Sequence, residues 1–200
     1  MKITTLFIIR HGQTDWNLEG KVQGHIDIPL NDEGIKQAQQ VAHFLKKKNV
    51  PFKALYSSDL QRAHQTAQEI SEVCVLNIIT TPNLQERHAG VMGGLTKKHI
   101  YELYGQGYDF DDEIIPSGEA KTAFMMRTTN QIALIAKAHI NESVIVVTHG
   151  LVIRNFIAFA GYDKNEWPAI TNAAIITVRY HHTDESQIEL VSVEYADDVR

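Results

Sequence analysis

Two short stretches hold most of the side chains in this sequence that could do chemistry. One reads Leu6-Phe7-Ile8-Ile9-Arg10-His11-Gly12, the other Val144-Ile145-Val146-Val147-Thr148-His149-Gly150. Each is an apolar, β-branched run that stops at a histidine followed by a glycine, the pattern of a buried strand entering a turn. In open α/β sheets, functional groups gather at the carboxyl ends of strands. A histidine there can be a nucleophile, a base or a metal ligand. Arg10 adds a fixed positive charge whose planar donor fork suits phosphate. Two such strand ends, one carrying Arg10, predict a single anionic-ligand pocket.

A metal site would need further ligands at suitable spacing, such as His-x-His or His-Glu-x-x-His. Neither occurs, and Arg10 would repel a divalent cation. A nucleophilic His11 fits better. If its Nδ1 donates to a backbone carbonyl, Nε2 keeps a lone pair. Arg10, Arg62 and His149 would lower its pKa and hold it neutral. The same cations would bind a phosphoryl group and spread the charge of its transition state. Glu86 is the one carboxylate close after a predicted strand end in the middle of the chain. Most glutamates are solvated surface acids. In a phosphate pocket a carboxyl is useful only when protonated, as a donor to the leaving oxygen, and burial would raise its pKa as that role requires.

The elements that must position these groups follow from the patterning. A strand is predicted over 3–9, then a polar loop over 12–30. Asn31 caps a helix with Ile35, Ala38, Val41, Ala42 and Leu45 on one face and Lys46-Lys47-Lys48 at its end, where the dipole favours cations. A short strand near 54–56 leads to Ser58 and Gln61 at capping-box spacing. Leu60, Ala63, Ala67, Ile70 and Cys74 stripe the next helix, so Arg62 falls in its first turn, where backbone dipoles and a guanidinium can act on one anion. A strand over 77–80, a loop through Leu84 to His88, a helix over 119–139, a strand over 144–148, a helix over 151–160 and strands over 174–180 and 188–194 complete the body. His181-His182 is expected in a loop of the closing hairpin. The fold class expected is α/β, a three-layer α/β/α sandwich with a largely parallel central sheet.

The chain has 200 residues, enough for one domain with a sizeable core. We expect a single domain over 1–200, with 88–118 as a cap or lid that includes a short helix near 97–104 and the acidic stretch 109–113. A formal net charge of −5 argues against a general nucleic-acid binder, though a local cluster of Arg and His can still govern its own cleft. Cys74 is the only cysteine, so an intrachain disulfide and a cysteine zinc site are excluded. The opening apolar run is too short to span a membrane. Asp111-Asp112-Glu113 lacks the glycine-spaced pattern of a calcium loop and reads as solvated. The expectation is a cytoplasmic protein that acts on a small phosphorylated substrate, without nucleic acid or membrane partners and with a homodimer allowed. The residues beyond Tyr195 are expected to fray.

Arg10-His11-Gly12-Gln13-Thr14-Asp15-Trp16-Asn17 resembles the signature of the histidine phosphatase, or phosphoglycerate mutase-like, superfamily. The resemblance continues in Pro29-Leu30-Asn31-Asp32-Glu33-Gly34, in the run from Ser57 to Ala67, in Leu84-Gln85-Glu86 and in Val147-Thr148-His149-Gly150, and the blocks occur in family order. It implies His11 as the phosphorylated nucleophile and Glu86 as the proton donor. It also implies a phosphate pocket of Arg10, Arg62 and His149, with Asn17 as a further contact and backbone from Gly150. No metal or organic cofactor is implied. Leu151-Val152-Ile153-Arg154 and Pro116-Ser117-Gly118-Glu119 resemble the phosphatase branch. Glu86-Arg87-His88-Ala89-Gly90 with Lys97 is similar to the mutase pattern, but Ala89 replaces its tyrosine, and a longer insertion with paired arginines is missing. The resemblance therefore implies a phosphomonoesterase working through phosphohistidine. The alternatives are a cofactor-dependent phosphoglycerate mutase and a non-catalytic phosphate-binding module.

Overall fold

The computed structural model describes residues 2–108, 115–163, 169–183 and 187–195. The acidic stretch 109–113 and the residues beyond 195 lie outside the described residues. Strands β1 (Ile3–Arg10), β2 (Phe52–Ser57), β3 (Ile78–Thr80), β4 (Ser143–Thr148), β5 (Ile175–His181) and β6 (Gln187–Glu194) form one sheet in the order β3-β2-β4-β1-β5-β6. The pairs β3/β2, β2/β4 and β4/β1 are parallel, while β5 runs antiparallel to both β1 and β6. The sheet is therefore mostly parallel, as expected.

Side chains alternate across a strand, and both faces of this sheet are apolar. Leu6, Ile8, Val144, Val146, Ile176 and Val178 face one core, which α5 (Lys121–Ala138) and α6 (Gly150–Phe159) cover with Phe124, Ile132, Val152, Ile153 and Phe156. Phe7, Ile9, Leu55, Ile145 and Val147 face the other, which α2 (Asp32–Lys47) and α3 (Gln61–Cys74) cover with Val41, Leu45, Ala63, Ala67 and Ile70. Three layers result. A separate small cluster of Met92, Ile100 and Ile115 lies in the 88–118 region, with α4 (Lys97–Tyr104) contributing Ile100. Among the described residues, no helix is long and apolar enough to cross a membrane.

Register decides the site. Arg10 on β1 pairs with Thr148 on β4, and Ser57 on β2 pairs with Val147. The residues just beyond these strands, His11, Ser58 and His149, therefore emerge at one edge of the sheet.

Several local expectations give way. Ile35 is 37% exposed, and Gly34 takes the buried position of that turn. A Cβ on Gly12 would come within 2.4 Å of the Gly34 carbonyl oxygen, so close approach of the two backbones, not an apolar side chain, seats the start of α2. Ser58 is not a helix cap: α3 begins after Leu60, and its Gln61 N–H donates instead to Asp27 at 2.7 Å. The polar loop after β1 contains a short helix, α1 (Asp15–Leu18), capped by Thr14. The long helix starts at Lys121, because Glu119 is engaged elsewhere. His181 belongs to β5 and pairs with Glu189, while the His182 ring bonds to Thr4 Oγ1 at 2.8 Å, so neither is a free loop residue.

Candidate active site

His11 follows β1 and is 3% exposed. Its Nδ1 lies 2.7 Å from the Gly12 carbonyl oxygen, an acceptor only, so Nδ1 carries the proton and Nε2 keeps its lone pair. Burial, then the charges of Arg62 and Arg10, hold its pKa well below the usual histidine value. The ring is therefore neutral and nucleophilic. The loop that carries it is pinned from three directions. Gly12 N–H donates to Thr66 Oγ1 at 3.0 Å, Gln13 N–H donates to Gln37 Oε1 at 2.9 Å, and Asn172 Nδ2 donates to the His11 and Gly12 carbonyls at 3.1 and 3.2 Å.

Two arginines stand beside His11, Arg62 buried and Arg10 half-buried. Arg10 donates to the Ile170 carbonyl at 2.6 Å, and Arg62 donates to the Ile26 and Gly24 carbonyls at 3.1 and 2.8 Å. Burial is the main cause that pulls each pKa down to about 10, which leaves both charged at neutral pH. His149, fully buried, caps α6 and stands with its ring 5.2 Å from that of His11. Burial, followed by Arg62, His11 and Arg10, holds it neutral too. Four buried side-chain polar atoms among the described residues lack a hydrogen-bond partner, and three belong here: Arg10 Nε, Arg62 Nε and His149 Nδ1. Leaving such groups unmade costs roughly 1–3 kcal/mol each, more for charged ones, so their clustering points to an anion as the missing partner.

Glu86 follows Leu84, whose carbonyl accepts from Thr148 Oγ1 at 2.7 Å at the end of β4. Its carboxyl accepts from the N–H of Arg87 at 2.9 Å and of Leu151 at 3.1 Å. Burial nevertheless dominates those bonds and the nearby Arg62 and Arg10, and the pKa is raised. A carboxyl held this way can deliver a proton and take one back.

These groups line one cleft of about 230 Å³. Arg10, His11, Asn17, Arg62, Glu86 and Gly150, all expected from the sequence, are on its wall. His149 is not on the wall itself; its ring lies 5.2 Å from that of His11, which is. Asn17 accepts through Oδ1 from Thr14 N–H and from Asn172, both at 3.1 Å, which fixes its amide. Gly150 opens α6, so the positive end of that helix meets the cleft. Lys21, Gln23, Arg87 and Arg154 also line the wall. Sequence reading gave none of them a place in the phosphate pocket. Arg154 lies one helical turn after Gly150, a spacing that could have signalled it. Among the described residues, no group of three or more His, Cys, Asp or Glu is placed to hold a metal ion.

Comparison with known proteins identifies the family. The sequence profile of the histidine phosphatase superfamily (branch 1) matches residues 6–193. The chain is 36% identical over 192 residues to phosphoglycerate mutase-like protein 4 of Arabidopsis thaliana, covering 92% of this chain and 83% of that protein. It is 41% identical over 160 residues to a metal-independent phosphoserine phosphatase of the same plant, covering 76% and 67%. A mycobacterial glucosyl-3-phosphoglycerate phosphatase solved with VO3 superposes with a TM-score of 0.83 at 26% identity, over 94% of this chain and 97% of that one. By profile and by relatives alike, the chain belongs to the histidine phosphatase superfamily.

Proposed function

We propose that this protein is a phosphomonoesterase acting through a phosphohistidine on His11. His11 Nε2 attacks phosphorus in line while the ester P–O bond breaks, and Glu86 gives its proton to the departing alkoxide. Water then attacks the phosphohistidine, the P–N bond breaks, and Glu86 takes the proton of the attacking water. Inorganic phosphate leaves and His11 is neutral again. Arg10, Arg62 and His149 hold the phosphoryl oxygens, with Asn17 and the Gly150 backbone as further contacts. The observation that carries this reading is the His11 Nδ1 bond to Gly12 at 2.7 Å, which leaves Nε2 bare on a residue that lines the same cleft as two arginines with unpaired donors.

The substrate in this reading is a small phosphorylated metabolite with a second anionic group. Phosphate needs only Arg10, Arg62 and the histidines, yet Lys21, Arg87 and Arg154 also line the cleft. Phosphoserine, named for one relative, has a carboxylate of that kind. The segment 88–118 serves as a cap, and the enzyme is cytoplasmic and needs no metal or organic cofactor.

Mutase chemistry is the second reading, because several relatives have phosphoglycerate mutase or mutase-like names. A mutase must retain its released intermediate until the phosphoryl group returns, which demands a lid closed over the site. Lys97 is not on the cleft wall; its ammonium sits 5.4 Å from the Tyr101 ring centroid. Ala89 is buried against Gly24 and offers no hydroxyl. Incubation with 3-phosphoglycerate and catalytic 2,3-bisphosphoglycerate separates the readings. Free phosphate should outrun 2-phosphoglycerate by a wide margin, whereas rapid isomer formation without matching phosphate would make the protein a mutase. A non-catalytic phosphate binder would release no phosphate from any ester in a screen of phosphorylated acids, sugars and nucleotides.

A further inference from the structure

His149 makes one hydrogen bond through its ring: Nε2 lies 2.8 Å from Ser58 Oγ. Both residues are fully buried. Ser58 Oγ also accepts from the Leu60 N–H at 3.3 Å. A serine hydroxyl has one proton to give and two lone pairs to offer. With one lone pair taken by Leu60, two arrangements remain for the contact with His149. If Nε2–H donates to Oγ, the serine proton has no acceptor among the described residues, and the His149 Nδ1 lone pair is buried near Arg10 and Arg62 with nothing donating to it. An anion bound there would be repelled by that lone pair. If Ser58 instead donates to Nε2, its proton is satisfied and only a second lone pair is spare, and Nδ1 carries a proton as a buried, unpartnered donor near the two arginines. Only the second arrangement makes His149 an anion ligand while it is neutral.

We propose that Ser58 is a positioning residue that sets the tautomer of His149, so that a neutral imidazole donates Nδ1–H to the transferring phosphoryl group. The fold supports the pairing: Ser58 N–H donates to the Val147 carbonyl at 3.0 Å, locking the end of β2 to the end of β4, where His149 emerges. A neutral donor adds a hydrogen bond to the transition state without another full charge that would further depress His11 or bind free phosphate too tightly. This rests on the phosphate-pocket reading above. Its first readout needs no turnover and so can fail separately.

Long-range 1H–15N spectra of the wild type, with His149 assigned through His149→Gln, should show a protonated Nδ1 and a bare Nε2. Ser58→Ala should convert His149 at least in part to the Nε2–H form. It should lower kcat by roughly 100-fold, the lower end of the scale for losing one preorganised donor, and weaken vanadate inhibition. Ser58→Thr, which retains the hydroxyl, should recover most of both. A wild-type His149 protonated on Nε2 would overturn the proposal, even if Ser58→Ala fails to fold. So would a folded Ser58→Ala with unchanged tautomer, kcat and vanadate affinity.

Discussion

Arg127 grips Glu119 with two parallel hydrogen bonds, Nε to Oε1 at 2.9 Å and NH2 to Oε2 at 2.8 Å. The same guanidinium donates to the carbonyls of Pro82 and Gln85 at 3.1 Å and of Glu86 at 3.3 Å. The Glu119 N–H donates to the His88 carbonyl at 3.0 Å, and the Glu119 carbonyl accepts from Arg87 Nε at 2.9 Å. The pair is thus a strut that fixes the Glu86 loop from behind.

Breaking the strut should cost both stability and rate. Arg127→Ala should destabilise the fold by about 1–3 kcal/mol, since charge-assisted bonds are the stronger ones but this pair is about a fifth exposed. Burial pushes the Glu119 carboxyl up, but Arg127 outweighs it and the net pKa is lowered. A depressed carboxylate stabilises above its unfolded pKa, so the contribution is lost as pH falls through the folded value. Urea melts at pH 7 and at pH 3 should show the variant's deficit shrinking in acid. An equal deficit at both would mean the pair acts by packing alone.

Gly12→Ala should be damaging although it adds a single methyl. The new Cβ would lie 2.4 Å from the Gly34 carbonyl oxygen, backbone that cannot swing away. Overpacking of this kind costs about 1–3 kcal/mol. It would also displace the carbonyl that orients His11, so kcat should fall more than tenfold by the same displacement. Thermal melts and turnover on p-nitrophenyl phosphate check both. A variant with normal Tm and kcat would contradict the close approach.

Glu86→Gln should slow turnover far more for alkyl phosphates than for p-nitrophenyl phosphate. A phenolate leaves with little protonation, but an alkoxide needs the acid. The wild-type carboxyl has a raised pKa and donates only while protonated, so kcat/KM should fall as pH rises through that value. His11, held well below the usual value, stays neutral across the same range. The descending limb should therefore vanish in Glu86→Gln. Equal losses on both substrates would reduce Glu86 to a structural acceptor for Arg87 and Leu151.

Much of this was legible because strand ends and helix starts are written in local pattern. The β1 and β4 runs announce themselves by composition, and Arg62 follows from its place in the first turn of α3. Sequence order could not show the partners that long loops bring back. Asn172 precedes β5 with no periodicity to mark it, yet it ties His11, Gly12 and Asn17 together. Gln23 accepts from Thr14 Oγ1 at 3.1 Å from within a polar loop that looked featureless. Ser58 carried a capping signal, but tertiary contact with His149 claimed its hydroxyl. Ile35 fitted a helical stripe, but the close Gly12–Gly34 contact put the backbone where that side chain would have packed.

The central claim is a covalent phosphoryl group on His11, and rapid quenching of the enzyme with a 32P-labelled phosphomonoester tests it most directly. The account predicts label on the protein that survives base, is lost in acid, maps to the peptide holding His11 by mass spectrometry, and is absent from His11→Ala. Acid-stable label, label on another residue, or steady turnover by a folded His11→Ala would contradict it.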